Sequence, residues 1–110
     1  METPNHLYVK QLSNGDEKFA NYLVEVMRTE LTEDVELYKN AMTRKDYLDA
    51  KSHVHRIKHK MGLLGLEKSY ERANNFENGL RESDLGEQSY FESVLPIMIE
   101  FLDPNRKIKL

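Results

Sequence analysis

Residues 46–64, DYLDAKSHVHRIKHKMGLL, carry the pattern from which the architecture follows most directly. Apolar side chains recur there at steps of three and four residues, at Tyr47, Ala50, Val54, Ile57, Met61 and Leu64. This spacing places them on one face of an α-helix, as in helices that pack in bundles. Asp46 stands directly before the pattern and is a residue type that caps helix N-termini. The segment therefore predicts a capped helix with one buried face.

Helical spacing continues on both sides of this segment. Upstream, Asp16 precedes a predicted long helix with core positions Phe19, Leu23, Val26, Met27, Leu31, Tyr38 and Met42. Downstream, a third helix is predicted to carry Leu66, Tyr70, Ala73, Phe76 and Leu80. A fourth carries Phe91, Val94, Leu95, Met98 and Leu102. Pro96 lies within this last helix and is expected to kink or divide it.

The short connections between these helices predict antiparallel neighbours. We expect an all-α fold, an up-down-up-down antiparallel four-helix bundle over about residues 16–103, with a short additional helix near residues 5–12. The chain has 110 residues, a length that suits one domain with a modest core.

Composition excludes several classes of function. The chain has no cysteine, so disulfides, thiolate zinc sites and cysteine nucleophiles are absent, as expected for a cytoplasmic protein. No apolar run approaches the ~20 residues of a membrane span, and the first residues lack a signal-peptide pattern. The net charge of −3 does not favour nucleic-acid binding. We expect neither a nucleic-acid nor a membrane partner.

The charge is unevenly distributed along the chain. Residues 44–60 contain six Lys or Arg, two Asp and three of the four histidines. Residues 67–92 contain seven acidic and three basic side chains. A basic stretch in an acidic protein indicates a local site for an anion.

His55 lies on the polar face of the helix predicted for residues 46–64, roughly 140° from its apolar stripe at 100° per residue. Lys51, Lys58, His59 and Gly62 follow helical spacing around it and are expected to project from the same side. Gly62 is expected to leave open surface there. Cations without an interleaved acid repel one another, and a bound anion would relieve this repulsion. The plainer alternative is a solvated basic face.

Metal binding is a second alternative, because His55 and His59 have the i, i+4 spacing that can chelate zinc. The sequence shows no third ligand, and Lys58 and Lys60 would repel a cation. We therefore expect no metal site and no cofactor. His53 and His6 are interpreted as structural or solvated.

The stretch around His55 resembles the motif of histidine-containing phosphotransfer (HPt) domains of two-component phosphorelays. His55 corresponds to the phosphorylated histidine, Lys58 to the lysine three residues on, Gly62 to a small-residue position, and Leu64-Gly65 to the closing pair. Residues 12–19, LSNGDEKF, are similar to the Leu-x-x-Gly-Asp-x-x-Phe entry into the first bundle helix of the family. The likeness extends over about residues 12–102.

The chain departs from the family pattern at several positions. His59 stands where the family usually has glycine, Lys60-Met61 where it has a small pair, and Val54 where alanine is frequent. A bulky His59 would narrow access to His55 or select among partners. Family members also carry a Gln or Glu on the next helix that orients the histidine ring. Glu77 is similarly placed. The alternative is that Glu77 is a solvated acid on the helix surface with no contact to His55.

The resemblance implies a phosphorelay carrier. His55 would accept a phosphoryl group from a receiver-domain aspartate and pass it to another receiver. Lys58, with Lys51 as an auxiliary cation, would stabilise the phosphoryl oxygens, and Glu77 would orient the ring. Receivers of response regulators or hybrid histidine kinases would dock over Leu48, His59 and Gly62.

Such a carrier is not an enzyme in its own right, because the receiver supplies most of the catalysis. It would be monomeric, and the sequence contains no Gly-rich loop for ATP. The alternative is a helical protein-binding adaptor without phosphotransfer.

Overall fold

The computed structural model describes residues 2–106 and 108, and five helices with no strand make up its regular structure. They are α1 (Leu7–Ser13), α2 (Glu17–Thr43), α3 (Tyr47–Leu63), α4 (Glu67–Leu80) and α5 (Gln88–Phe101). The all-α prediction is confirmed, including the short helix near the start of the chain. No helix within this part of the chain is long and apolar enough to cross a membrane.

The ends of α2 and α3 form as the sequence predicts. The side chain of Asp16 accepts a hydrogen bond from the backbone N–H of Phe19 at 3.0 Å, and Asp46 accepts one from Asp49 at 3.1 Å. Each aspartate thereby satisfies a backbone donor that the first helical turn leaves unpaired. Between α2 and α3 the chain reverses at Lys45, whose φ of 57° is left-handed.

The apolar stripe of α3 forms the centre of the core. Ala50, Val54, Ile57, Met61 and Leu64 are fully buried, while Tyr47 is partly buried. The helix packs against α2 on one side and α4 on the other, and α5 packs against both α4 and α2. An aromatic cluster joins three of these helices, since the ring of Phe91 lies 5.2 Å from the rings of both Tyr38 and Phe76.

Two predicted core residues are partly exposed, Phe19 at 43% and Tyr70 at 39%. Phe19 of α2 faces outward, because the buried stripe begins with Ala20 and Val24. Further along α2, the predicted core positions Met27, Leu31 and Tyr38 are buried. Tyr70 of α4 also faces outward, beside α3. Leu23, Val26 and Met42 are partly buried.

Pro96 does not divide the last helix, which runs unbroken from Gln88 to Phe101. Proline removes the hydrogen bond to the carbonyl of Glu92 one turn earlier. Both residues are exposed, so water can satisfy this carbonyl and the helix continues.

The segment before α1 contacts the start of α4 and the ends of α3 and α5. The Glu2 carboxylate accepts hydrogen bonds from the backbone N–H groups of Lys68 and Ser69, both at 2.7 Å, and so caps α4. The Asn5 N–H donates to the carbonyl of Leu64 at 2.8 Å. The His6 ring lies 4.2 Å from that of Phe101 at the end of α5. Thus His6 has a structural position.

A charged cluster is buried between α2 and α3. Asp34 of α2 is fully buried, and Lys60 of α3 is nearly so. The Asp34 carboxylate lies 3.3 Å from Nζ of Lys60 and 3.1 Å from Nε of Arg56, and Glu30 also lies 3.3 Å from Lys60. Removing Asp34 would leave the buried Lys60 ammonium with only the half-exposed Glu30 as its counterion.

We expect Asp34→Ala to lower the free energy of unfolding by about 3 kcal/mol, because Lys60 and Arg56 lose their shared counterion. Urea denaturation would measure this loss. The matched control is Glu33→Ala, which removes an exposed acid from the neighbouring position and should change stability by about 0.5 kcal/mol or less. Equal losses in the two variants would contradict a stabilising role for the buried cluster.

Candidate functional site

His55 lies on the outer face of α3 between buried positions of the core stripe. Its side chain is 49% exposed, whereas the adjacent Val54 and the nearby Ile57 are fully buried. Helical spacing separates these directions, so the core fixes the helix and the ring extends from its opposite side. The predicted exposure of His55 is found in the structure.

Glu77 of α4 reaches the inner nitrogen of this ring. The His55 Nδ1 atom lies 3.1 Å from Oε1 and 3.0 Å from Oε2 of Glu77, and the carboxylate is only 13% exposed. An ionised carboxylate only accepts hydrogen bonds, so Nδ1 carries the hydrogen. In the neutral ring the lone pair is then on Nε2. Glu77 is therefore paired with His55 and is not a solvated surface acid.

Lys58 also binds Glu77, and this differs from its predicted place on the open face. Its side chain is almost buried, with Nζ 2.9 Å from Oε1 of Glu77 and 3.0 Å from Oδ1 of Asn74. Nζ also lies 5.4 Å from the centre of the Tyr70 ring. Position 58 faces α4, where a carboxylate, an amide and an aromatic ring surround the ammonium. The cation expected at the phosphoryl oxygens thus supports the carboxylate behind the histidine.

These partners hold Glu77 in its ionised form. Burial alone tends to raise the pKa of the Glu77 carboxyl, but the hydrogen bonds from Lys58 and His55, with their charges, outweigh this tendency and lower the pKa below its usual value. The carboxylate is consequently charged near neutral pH. It can act as a permanent acceptor for Nδ1–H.

Gly62 provides less open surface than expected. A side-chain carbon there would lie 3.4 Å from the Tyr70 ring, which occupies one side of the space that the glycine leaves. Gly62 itself remains exposed. The aromatic ring of α4 accordingly forms one wall of the surface next to His55.

The exposed face of α3 carries the remaining predicted residues. The His59 ring lies 4.5 Å from the His55 ring, tilted by 51°. Leu48, two turns before His55, is 77% exposed, and Lys51 is partly exposed one turn before it. These residues and Gly62 share the face around His55 by helical spacing.

His53 does not belong to this group. It is largely buried, and its Nε2 lies 3.3 Å from the Asp49 carboxylate. Among the side chains of residues 2–106 and 108, no group of three or more His, Cys, Asp or Glu could hold a metal ion.

Sequence reasoning missed Asn74 and Tyr70 as parts of the site. The signal was present, because positions 70, 74 and 77 follow steps of four and three residues and so share one face of α4. The apolar spacing of α4 instead predicts Tyr70 in the core. The structure places this polar face of α4 against Lys58 and His55.

Comparison with known proteins identifies no relative. No protein-family model matches the chain, and neither the curated proteins nor the solved structures searched contain a match to it.

The lowered pKa of Glu77 predicts a pH-dependent contribution to stability. The contribution is fully present above the unfolded-state pKa, near the ordinary value of 4.5, and is lost as pH falls through the lower pKa of the folded state. We expect Glu77→Gln to be less stable than the native chain at pH 7. The difference should shrink below about pH 4.5 as Glu77 becomes protonated. Urea denaturation at several pH values would measure it, and a constant difference down to the lowest pH would refute the pairing.

Proposed function

We propose that this protein is a phosphorelay carrier that accepts a phosphoryl group on His55. One observation carries the proposal. Nδ1 of a half-exposed imidazole is held by a carboxylate of the next helix, at 3.0 Å. This leaves Nε2 as the only ring nitrogen free to act as a nucleophile. Orientation of a histidine by a carboxylate is a recurring feature of nucleophilic and general-base sites.

The proposed transfer is a displacement at phosphorus. The Nε2 lone pair attacks the phosphorus of an aspartyl phosphate on a receiver domain. The bond between phosphorus and the aspartyl oxygen breaks, and its electron pair stays with the departing carboxylate. Nε2 then carries the phosphoryl group while Nδ1 keeps its hydrogen. The ring becomes cationic, and the Glu77 carboxylate beside Nδ1 stabilises that charge.

The lysines take different parts in this proposal. Lys58 holds the Glu77 carboxylate through a 2.9 Å ion pair, so its main effect on transfer is to position the acceptor of Nδ1–H. Lys51 is the partly exposed cation one turn before His55 and is placed to attract the incoming phosphate. Phosphoryl transfer depends on positioning and charge stabilisation. By resemblance to HPt domains, the receiver supplies magnesium and most of the catalysis, so this chain is not itself an enzyme.

The proposal includes the topology that the sequence suggests, with α2, α3, α4 and α5 running up-down-up-down. The connections of three, three and seven residues, 44–46, 64–66 and 81–87, support it. Each of these helices also packs against the next, and α5 packs against α2. Short connections between packed helices favour antiparallel neighbours. A cytoplasmic location, which fits a chain without cysteine, and a monomeric state complete the proposal.

A receiver would dock over the exposed face of α3, where Leu48, His59 and Gly62 surround His55. Leu48 also supports the alternative function, an adaptor that binds proteins without phosphotransfer. Its large exposed apolar side chain would favour docking whether or not His55 reacts. The two functions differ in one observable, the covalent phosphate.

We expect the native chain to gain one phosphoryl group when mixed with phosphorylated receivers, and His55→Gln to gain none. Intact mass at neutral pH would measure the uptake, because phosphohistidine is labile in acid. The matched control is His53→Gln, which removes the neighbouring largely buried histidine of α3 and should keep uptake. Uptake by His55→Gln would refute the assignment, and binding of the receiver without any phosphate would favour the adaptor.

Leu48→Ala should weaken receiver binding about tenfold, because burial of a leucine side chain contributes about 1.5–3 kcal/mol. Titration of a receiver, followed by NMR or calorimetry, would measure the change. Ile99→Ala is the control, since Ile99 is an exposed apolar residue of α5, a helix that packs on α2 and α4. If Ile99→Ala weakens binding and Leu48→Ala does not, the docking face lies elsewhere.

A further inference from the structure

We propose that His55 and His59 together bind a divalent transition-metal ion, with zinc as the representative ion. The ion would be held by Nε2 of His55 and one ring nitrogen of His59. Binding is a property of this chain alone and does not require that the proposed function be correct.

The first support is the arrangement of the two rings. They belong to exposed side chains one helical turn apart, and their centres are 4.5 Å apart. Histidines at positions i and i+4 of a helix can both bind one zinc ion, at zinc–nitrogen bonds of about 2.0–2.1 Å. Imidazole ligands favour zinc, copper and nickel over magnesium and calcium, which prefer oxygen.

The second support is the carboxylate behind His55. Metal-binding histidines almost always donate their other ring N–H to a carboxylate, a carbonyl or water, which fixes the tautomer and increases the basicity of the metal-binding nitrogen. Glu77 makes this contact with Nδ1 of His55 at 3.0 Å. The nitrogen it leaves free is the one that a metal ion would need.

The third support concerns Lys58 and Lys60, whose positive charges would repel a metal ion if they were free. The Lys58 ammonium is paired with Glu77, and the Lys60 ammonium is paired with Asp34 and Glu30. Arg56, which follows His55, is also paired with Asp34. These charges are thus neutralised on the two flanks of α3. Lys51 is the remaining nearby cation on the helix, one turn before His55.

The chain supplies only two ligands to this ion, because no third acidic or histidine side chain within the described residues joins them. Water would complete the coordination, so the site is open and its affinity is modest. A bound ion would also occupy the nitrogen to which the phosphoryl group is transferred. Competition between metal and phosphoryl group is a consequence that rests on the proposed function.

Titration of the full chain with zinc chloride at pH 7.5, without any receiver, would test the site. Nitrogen-15 NMR of the imidazoles should show His55 and His59 shifting together with one ion bound per chain, and magnesium chloride should shift neither. His55→Gln and His59→Gln should each bind zinc at least about tenfold more weakly. Loss of a group that hydrogen-bonds a metal ligand already lowers affinity by about tenfold or more, and loss of the ligand itself should cost at least as much.

Two further variants separate ligands from supporting groups. Glu77→Gln should weaken zinc binding about tenfold while both rings still shift, because Glu77 acts through His55. His53→Gln should bind zinc as the native chain does. Unchanged affinity in His59→Gln, or shifts confined to His53 and His6, would overturn the proposal. The phosphate-uptake experiment would stand in either case, because zinc takes no part in it.

Discussion

The carboxylate of Glu77 is the group on which the candidate site depends. A single acidic side chain of α4 holds two groups of α3, the half-exposed imidazole of His55 and the almost buried ammonium of Lys58. A buried ammonium without an acceptor costs several kcal/mol, so α4 must be placed where Glu77 can reach Lys58. That placement also brings the carboxylate to Nδ1. The contact that packs α3 against α4 at Lys58 therefore also orients the His55 ring.

The electrostatics of α3 differ from what a count of its charges suggests. Lys60 and Arg56 are paired with Asp34 and Glu30 of α2, and Lys58 is paired with Glu77 of α4. Three of the six basic side chains of the stretch are therefore paired with acids of neighbouring helices. Around His55 the outer face of α3 carries the His59 ring, the exposed Leu48 side chain and the partly exposed Lys51. In the proposed carrier, this face would contact the receiver, with Lys51 as the cation beside His55.

The sequence predicts local features well and long-range pairing poorly. The caps at Asp16 and Asp46 and the core stripe of α3 follow from neighbouring residues alone, and both are found. The burial of Lys58 and Lys60 could not be predicted, since their partners Glu77 and Asp34 lie on other helices, and helical spacing does not fix how neighbouring helices are rotated. For the same reason, helical spacing predicts Phe19 and Tyr70 in the core, whereas the structure leaves both partly exposed. Glu77 is predicted only from the resemblance to HPt domains, in which a Gln or Glu of the next helix contacts the histidine. That family pattern reflects how the two helices are rotated relative to each other.

The segment before α1 fixes the first turn of α4, the helix that carries Glu77. Leu66, which precedes the helix, provides no side-chain cap, and Glu2 supplies the missing acceptors to Lys68 and Ser69. The pKa of the Glu2 carboxyl is lowered, because these hydrogen bonds outweigh the effect of burial. The helix that carries Glu77 is thus fixed at its start by one carboxylate and fixes α3 by another. Glu77 would neutralise Lys58 without also contacting His55. The contact with His55 selects one tautomer and directs Nε2 outward, which matters for a ring that reacts or binds through that nitrogen.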